Sequence, residues 1–161
     1  MLSLDLFKTV TAHVPLVAID LLITIDDSLL VGLRNNEPAK STLFVPGGRI
    51  YKGEKFGCAI DRILTSELRT LQLPISSVDF NFFGLYEHFY ENSFFSDETF
   101  STHYIVLAFL LVTKVDSFLV SNLSDSSDQH ASFFLISGLS PKPDLDLVHP
   151  YTQAYLNALE L

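Results

Sequence analysis

The residue with the most chemical consequence is a glutamate on the apolar side of a helix. From about Lys55 the sequence reads as helical, and positions 60, 63, 64, 67, 68 and 71 share one stripe. Five of them are Ile60, Ile63, Leu64, Leu68 and Leu71; the sixth is Glu67. A carboxylate facing a core must be paired, protonated or bound to a metal, so this break in the pattern marks a functional site. Just before the helix, PGGRIYKGEKFG (46–57) holds four of the seven glycines. Gly47 and Gly48 read as a turn, and they let main chain come close to a ligand or a metal.

Other residues suited to chemistry lie far apart in the chain. Arg34 ends a strand and is placed to fork onto a phosphate, the ordinary alternative being a surface ion pair. Asp20 interrupts an apolar run and must meet a donor or a polar ligand, or else sit at the sheet rim. His88 lies among tyrosines, which suits stacking on a base or sugar as well as plain core packing. Gln129 and His130 fall in a stretch rich in Ser and Asp. A loop histidine is free to titrate near neutral pH, although alone it is more often just exposed.

The elements that must position these groups follow from the pattern. Residues 2–13 read as a short amphipathic helix ended by Pro15. Residues 16–25, apolar almost throughout, read as a central strand, and 29–34 as the strand returning after an Asp26-Asp27-Ser28 turn. Two long strands cover 79–91 and 101–113, the second with a short extension at 118–120; a short strand covers 133–136. On the first long strand, alternation puts Phe82, Gly84, Tyr86, His88 and Tyr90 on one face. Residues 35–42, 92–100, 121–132 and 141–147 read as loops, with Phe94 and Phe95 near the ligand or a subunit contact. A closing helix covers 150–161.

A chain of 161 residues, 48% hydrophobic and with 14 Phe, is expected to form a single domain (1–161) with a large core. The net charge of −9 argues against a nucleic-acid surface. Residues 34–69 nevertheless carry seven basic and four acidic side chains, a local +3 against −12 elsewhere, which suits a small anionic ligand. One cysteine, Cys58, allows no internal disulfide and fits a reducing compartment. The N-terminus has no signal-peptide pattern. The longest apolar run, Tyr104–Val112, is nine residues, far short of the roughly 20 of a membrane helix. A soluble cytoplasmic protein without a membrane partner is expected.

Gly48, five residues, Glu54, seven residues, Arg62, and then Glu67 five further on resemble the Nudix box. That box carries three helix glutamates that gather magnesium on a diphosphate. Here two of those positions are Ile63 and Ser66, and Arg69 and Thr70 stand in a turn one residue longer than usual. A one-metal site fits this reduced box better than a two- or three-metal one. PLVAID (15–20), FVPGGR (44–49), EHFYEN (87–92), STHYIVL (101–107), DQH (128–130) and VHPYTQAYL (148–156) extend the likeness. Together they resemble one Nudix branch, the GDP-mannose mannosyl hydrolases, which also lack those glutamates.

The resemblance implies an α/β chain with the Nudix fold, an α/β/α sandwich around a mixed β-sheet, acting as a homodimer. It implies Mg²⁺-dependent hydrolysis of GDP-mannose, with GDP-glucose as a further substrate and Mn²⁺ as a substitute metal. Water attacks the anomeric carbon, giving GDP and a free hexose of inverted configuration. Carried over by position, the Gly47 carbonyl, Glu67 and the Gln129 amide oxygen hold the metal, and His130 is the general base. Arg34, Arg49 and Tyr104 hold the diphosphate and assist its departure, and Asp20 and His88 bind the sugar. Arg62 falls on the helix side away from Glu67, where it pairs with Glu54. Two other readings are a conventional Nudix diphosphatase cleaving at phosphorus and a non-catalytic nucleotide-sugar binding module.

Overall fold

The computed structural model describes residues 2–68, 74–95, 100–114, 130–137 and 147–161. Its elements in order are α1 (Leu4–His13), β1 (Leu16–Ile25), β2 (Ser28–Arg34), β3 (Leu43–Phe44), β4 (Gly47–Arg49), α2 (Phe56–Glu67), β5 (Asn81–Tyr90), β6 (Thr102–Thr113), β7 (His130–Ile136) and α3 (Pro150–Leu159). The sheet runs β3-β2-β1-β6-β5, with β4 added to β1 and β7 to β2. The β1–β6 pair is parallel and the others are antiparallel, so the sheet is mixed, as expected.

Strand alternation in β1 feeds two cores. Ile19, Leu21, Ile23 and Ile25 pack on one side with Ile60, Ile63 and Leu64 of α2. Leu22 packs on the other side with Tyr155 and Leu156 of α3. A strand buried on both faces reads as continuously apolar, and β1 does. The helices thus cover opposite faces, the expected sandwich. The stripe of α2 is buried as its spacing requires, Glu67 included; Leu71 lies outside the described residues.

Three local differences from the expected pattern have clear causes. Gly47–Arg49 is a short strand rather than a turn, because it pairs with β1 through Asp20↔Gly47, Ile19↔Gly48 and Ala18↔Arg49. β7 begins at His130, three residues earlier than composition suggests, because ladder pairing to β2 extends to Arg34↔His130. In β5 the register shifts between Phe82 and Gly84. This bulge turns Phe82 outward, 60% exposed, while Gly84 to Tyr90 keep the expected alternation. The extension expected at 118–120, and 141–146 of the last loop, lie outside the described residues. No helix among the described residues is long and apolar enough to cross a membrane.

Gly32 lies beneath His130, where a Cβ would overlap the imidazole. Gly32→Ala should lower stability by about 1–3 kcal/mol, the usual cost of overpacking. The urea midpoint measures this, and an unchanged midpoint would mean that the ring is not held there.

Candidate active site

A cleft of about 420 Å³ opens where β1, β4, β5 and β6 meet. Pairing sets its floor: Ala18 lies beside Val106 and Arg49, and His88 beside Tyr104. Seven of the nine expected site residues line it. Asp20, Gly47, Arg49 and Glu67 form one side of the set; Arg34, His88 and Tyr104 complete it. His130 is fully buried and is not part of the lining. Gln129 lies outside the described residues.

Glu67 is brought to the cleft by the packed stripe of α2. Its Oε2 accepts from Gly47 N–H at 3.3 Å and lies 3.4 Å from His130 Nδ1. Burial pushes its carboxyl up to about 8, against the opposing pull of Arg34 and the Gly47 amide. His130 is not a freely titrating loop residue. Burial, helped by the Arg34 charge, pushes its imidazole down to about 3, which disfavours a positive charge beside Glu67. No group of three or more His, Cys, Asp or Glu side chains among the described residues is placed to hold a metal. The donor set nevertheless suits a hard cation: a buried carboxylate short of positive charge, beside glycine main chain, supplies oxygen ligands of the kind Mg²⁺ takes.

Asp20 stands across Gly47 from Glu67. A Cβ on Gly47 would lie 2.6 Å from Asp20 Oδ1 and 2.7 Å from Ile19 O, so this position has room only for glycine. Burial pushes the Asp20 carboxyl up to about 7, opposed by a hydrogen bond from Tyr155 and by Arg34. Tyr155 Oη donates to Asp20 Oδ2 at 2.8 Å and lies 3.3 Å from His88 Nε2. His88 stacks flat on Tyr151, with ring centroids 3.9 Å apart. Burial pushes its imidazole down to about 4.

The cations are held by their surroundings. Arg34 Nε is buried and makes no hydrogen bond among the described residues, which leaves a donor for an anion. The Arg49 guanidinium lies 3.6 Å over the Phe7 ring, so α1 forms a wall of the cleft. Arg62 donates to both Glu54 oxygens, at 2.7 and 2.8 Å, and to Arg49 O at 2.8 Å. The expected Glu54 pairing is therefore present, and Arg62 clamps the glycine-rich segment onto α2.

The sequence reading missed the parts played by Phe7, Tyr151 and Tyr155. Phe7 is the large apolar residue that α1 buries, and Tyr151 and Tyr155 share a helix face by their i, i+4 spacing. Those signals predict burial but not which polar group a hydroxyl will meet. Phe94, expected near the ligand, does line the cleft.

The chain matches no protein-family model. It is 33% identical over 156 residues to the low-salt glycan biosynthesis protein Agl8 of Haloferax volcanii, covering 97% of this chain and 89% of that one. The chain belongs to the Agl8 family. Solved structures add the fold, which is the Nudix fold. The NUDIX domain of Shewanella oneidensis NrtR, in complex with ADP ribose, superposes with a TM-score of 0.60 at 10% identity, over 99% of this chain and 97% of that one. A bifunctional NMN adenylyltransferase/ADP ribose pyrophosphatase of Francisella tularensis, complexed with AMP and a manganese ion, gives 0.62 at 18% identity. That match covers 97% of this chain but only 44% of the Francisella protein.

The Glu67 environment predicts a pH signature. Its folded value lies above its unfolded one, so its stabilising effect is complete below about 4.5 and is lost as pH rises through about 8. Glu67→Gln removes that loss. In chelator-treated protein the melting-temperature gap should widen in the variant's favour between about pH 5 and about pH 9, and added Mg²⁺ should narrow it. A gap independent of both pH and Mg²⁺ would remove Glu67 from the metal site.

Proposed function

We propose that the protein is a divalent-metal-dependent hydrolase of nucleotide sugars of the GDP-mannose type, releasing GDP and a free hexose. One observation carries this reading: α2 offers the cleft a single carboxylate, Glu67, while Ile63 and Ser66 line it where the Nudix box has further acids. Cleaving the sugar C–O bond builds negative charge only on the departing diphosphate, so one cation and two arginines match the demand. Bound by Glu67, the Gly47 carbonyl and Gln129, Mg²⁺ would supply Lewis-acid stabilisation of that leaving group. Arg34 and Arg49 grip the diphosphate, with Tyr104 beside them, while Asp20 and His88 meet sugar hydroxyls. Support also comes from the relative's name, since glycan biosynthesis draws on activated sugars. ADP ribose, present in the Shewanella structure, is likewise a nucleoside diphosphate joined to a sugar. This reading takes the enzyme as a cytoplasmic homodimer.

His130 is the proposed base. Burial keeps its imidazole neutral, the form a base needs, but the ring stands behind Glu67 rather than in the cleft wall. The reading therefore requires the ring to turn into the cleft when substrate binds. The same burial favours a second reading, cleavage at phosphorus without His130, giving GMP and a hexose 1-phosphate.

Hydrolysis of GDP-mannose in isotopically labelled water separates the two. Label in mannose supports the first reading, and label in phosphate supports the second. Tight binding without turnover on any divalent metal would overturn both. His130→Gln should lower turnover by roughly 10²–10⁴-fold, the usual worth of a general base. Near-normal turnover would exclude His130 from that role.

A further inference from the structure

We propose that Tyr155 is a positioning residue that joins Asp20 and His88 into one hydrogen-bonded unit aimed at the sugar end of the cleft. The proposal rests on the reading of this cleft as a nucleotide-sugar site. Tyr155 is fully buried on α3 and does not line the cleft, whereas Asp20 and His88 do. Its ring is already well packed, edge-on to Tyr86 at 4.8 Å. Packing alone needs only a phenylalanine there, so the hydroxyl calls for another explanation.

A phenol has one proton. With Asp20 ionised, that proton goes to Asp20 Oδ2 at 2.8 Å. Toward His88 Nε2, at 3.3 Å, the same oxygen can then only accept. His88 Nε2 therefore carries the ring hydrogen, and its Nδ1 keeps a lone pair. Tyr151, one helical turn earlier, fixes the ring plane by stacking on it at an interplanar angle of 6°. Tyr151 is itself anchored: its Oη accepts from Phe89 N at 2.6 Å and donates to Phe89 O at 2.9 Å. Those two groups belong to β5, an edge strand of the described sheet, and turn outward from its ladder. Two tyrosines spaced i, i+4 on α3 thus set the orientation of Asp20 and both the plane and the tautomer of His88. A sugar is recognised by donors and acceptors in fixed positions, and tautomer and rotamer together decide which is presented.

Histidine nitrogen NMR at about pH 9, above the Asp20 value of about 7, reads the tautomer without substrate. Wild-type His88 should be the Nε2–H form, and Tyr155→Phe should shift it toward a mixture. An Nδ1–H form in the wild type, or an unmoved signal in the variant, would overturn the proposal. In the same variant, GDP affinity should stay within about twofold while kcat on GDP-mannose falls roughly tenfold, as for one lost hydrogen bond to a charged group. Equal losses for GDP and GDP-mannose would make the hydroxyl merely structural and overturn the proposal. If the wild type hydrolyses no nucleotide sugar, the functional reading fails, and the tautomer alone decides the role of Tyr155.

Discussion

Taking a carboxylate out of water costs more than any single apolar contact returns. This chain does so twice within one cleft, at Glu67 and Asp20. Much of the local structure accommodates those two acids. Gly47 lies between them, donating its N–H to Glu67 and leaving space for Asp20 that any side chain would take. Arg34 is the positive charge that reaches both, and it opposes the burial that pushes their carboxyls up. The same charge, added to burial, keeps His130 and His149 neutral. Burial thus sets the direction of each shift, and one cation, Arg34, acts on the whole cluster at once.

Precise placement comes from the sheet. β1 is buried on both faces and pairs with β6 over its full length, from Leu16↔Tyr104 to Ile25↔Thr113. That register fixes Tyr104 beside Leu16 and Val106 beside Ala18, and β5 then sets His88 against Tyr104. Ala18 is small, so the floor stays open beneath the ligand space. Arg49 arrives from the other side of β1; its guanidinium lies over the Phe7 ring, and its own carbonyl accepts from Arg62. The side chains able to grip an anion are therefore set by strand register and packed aromatic rings rather than by free loops.

Much of this was legible in the sequence, and for identifiable reasons. The strand and helix periods are strong because β1 and α2 are almost purely apolar, and Glu67 stood out against that regularity. Arg34 and Asp20 were visible because each ends or interrupts an apolar run. His130 was misread as a loop residue because Ser and Asp dominate the residues before it. Composition there outweighed the ladder that β2 offers, which a one-dimensional pattern does not contain. The β5 bulge was hidden for a related reason, since Phe82 and Phe83 are equally apolar and only pairing with β6 decides which faces out. Tyr155 was placed only in the closing helix; that its hydroxyl meets an acid 135 positions away depends on tertiary packing alone.

The two helices also divide the work across the sheet. α2 covers one face and delivers Glu67 beside the glycine main chain; α3 covers the other and reaches Asp20 and His88 through Tyr155. Each helix places on its buried face a polar group that serves the cleft, where a leucine at 67 and a phenylalanine at 155 would fill space without a desolvation cost. Such exceptions to core chemistry collect where a protein must bind or react. Both polar groups here converge on the two sides of Gly47. In the proposed reading, an acid short of positive charge on one side and a hydrogen-bonded Asp–Tyr–His unit on the other would give the cleft a cation end and a hydroxyl-reading end. A phosphate-bearing sugar needs those two ends in that order.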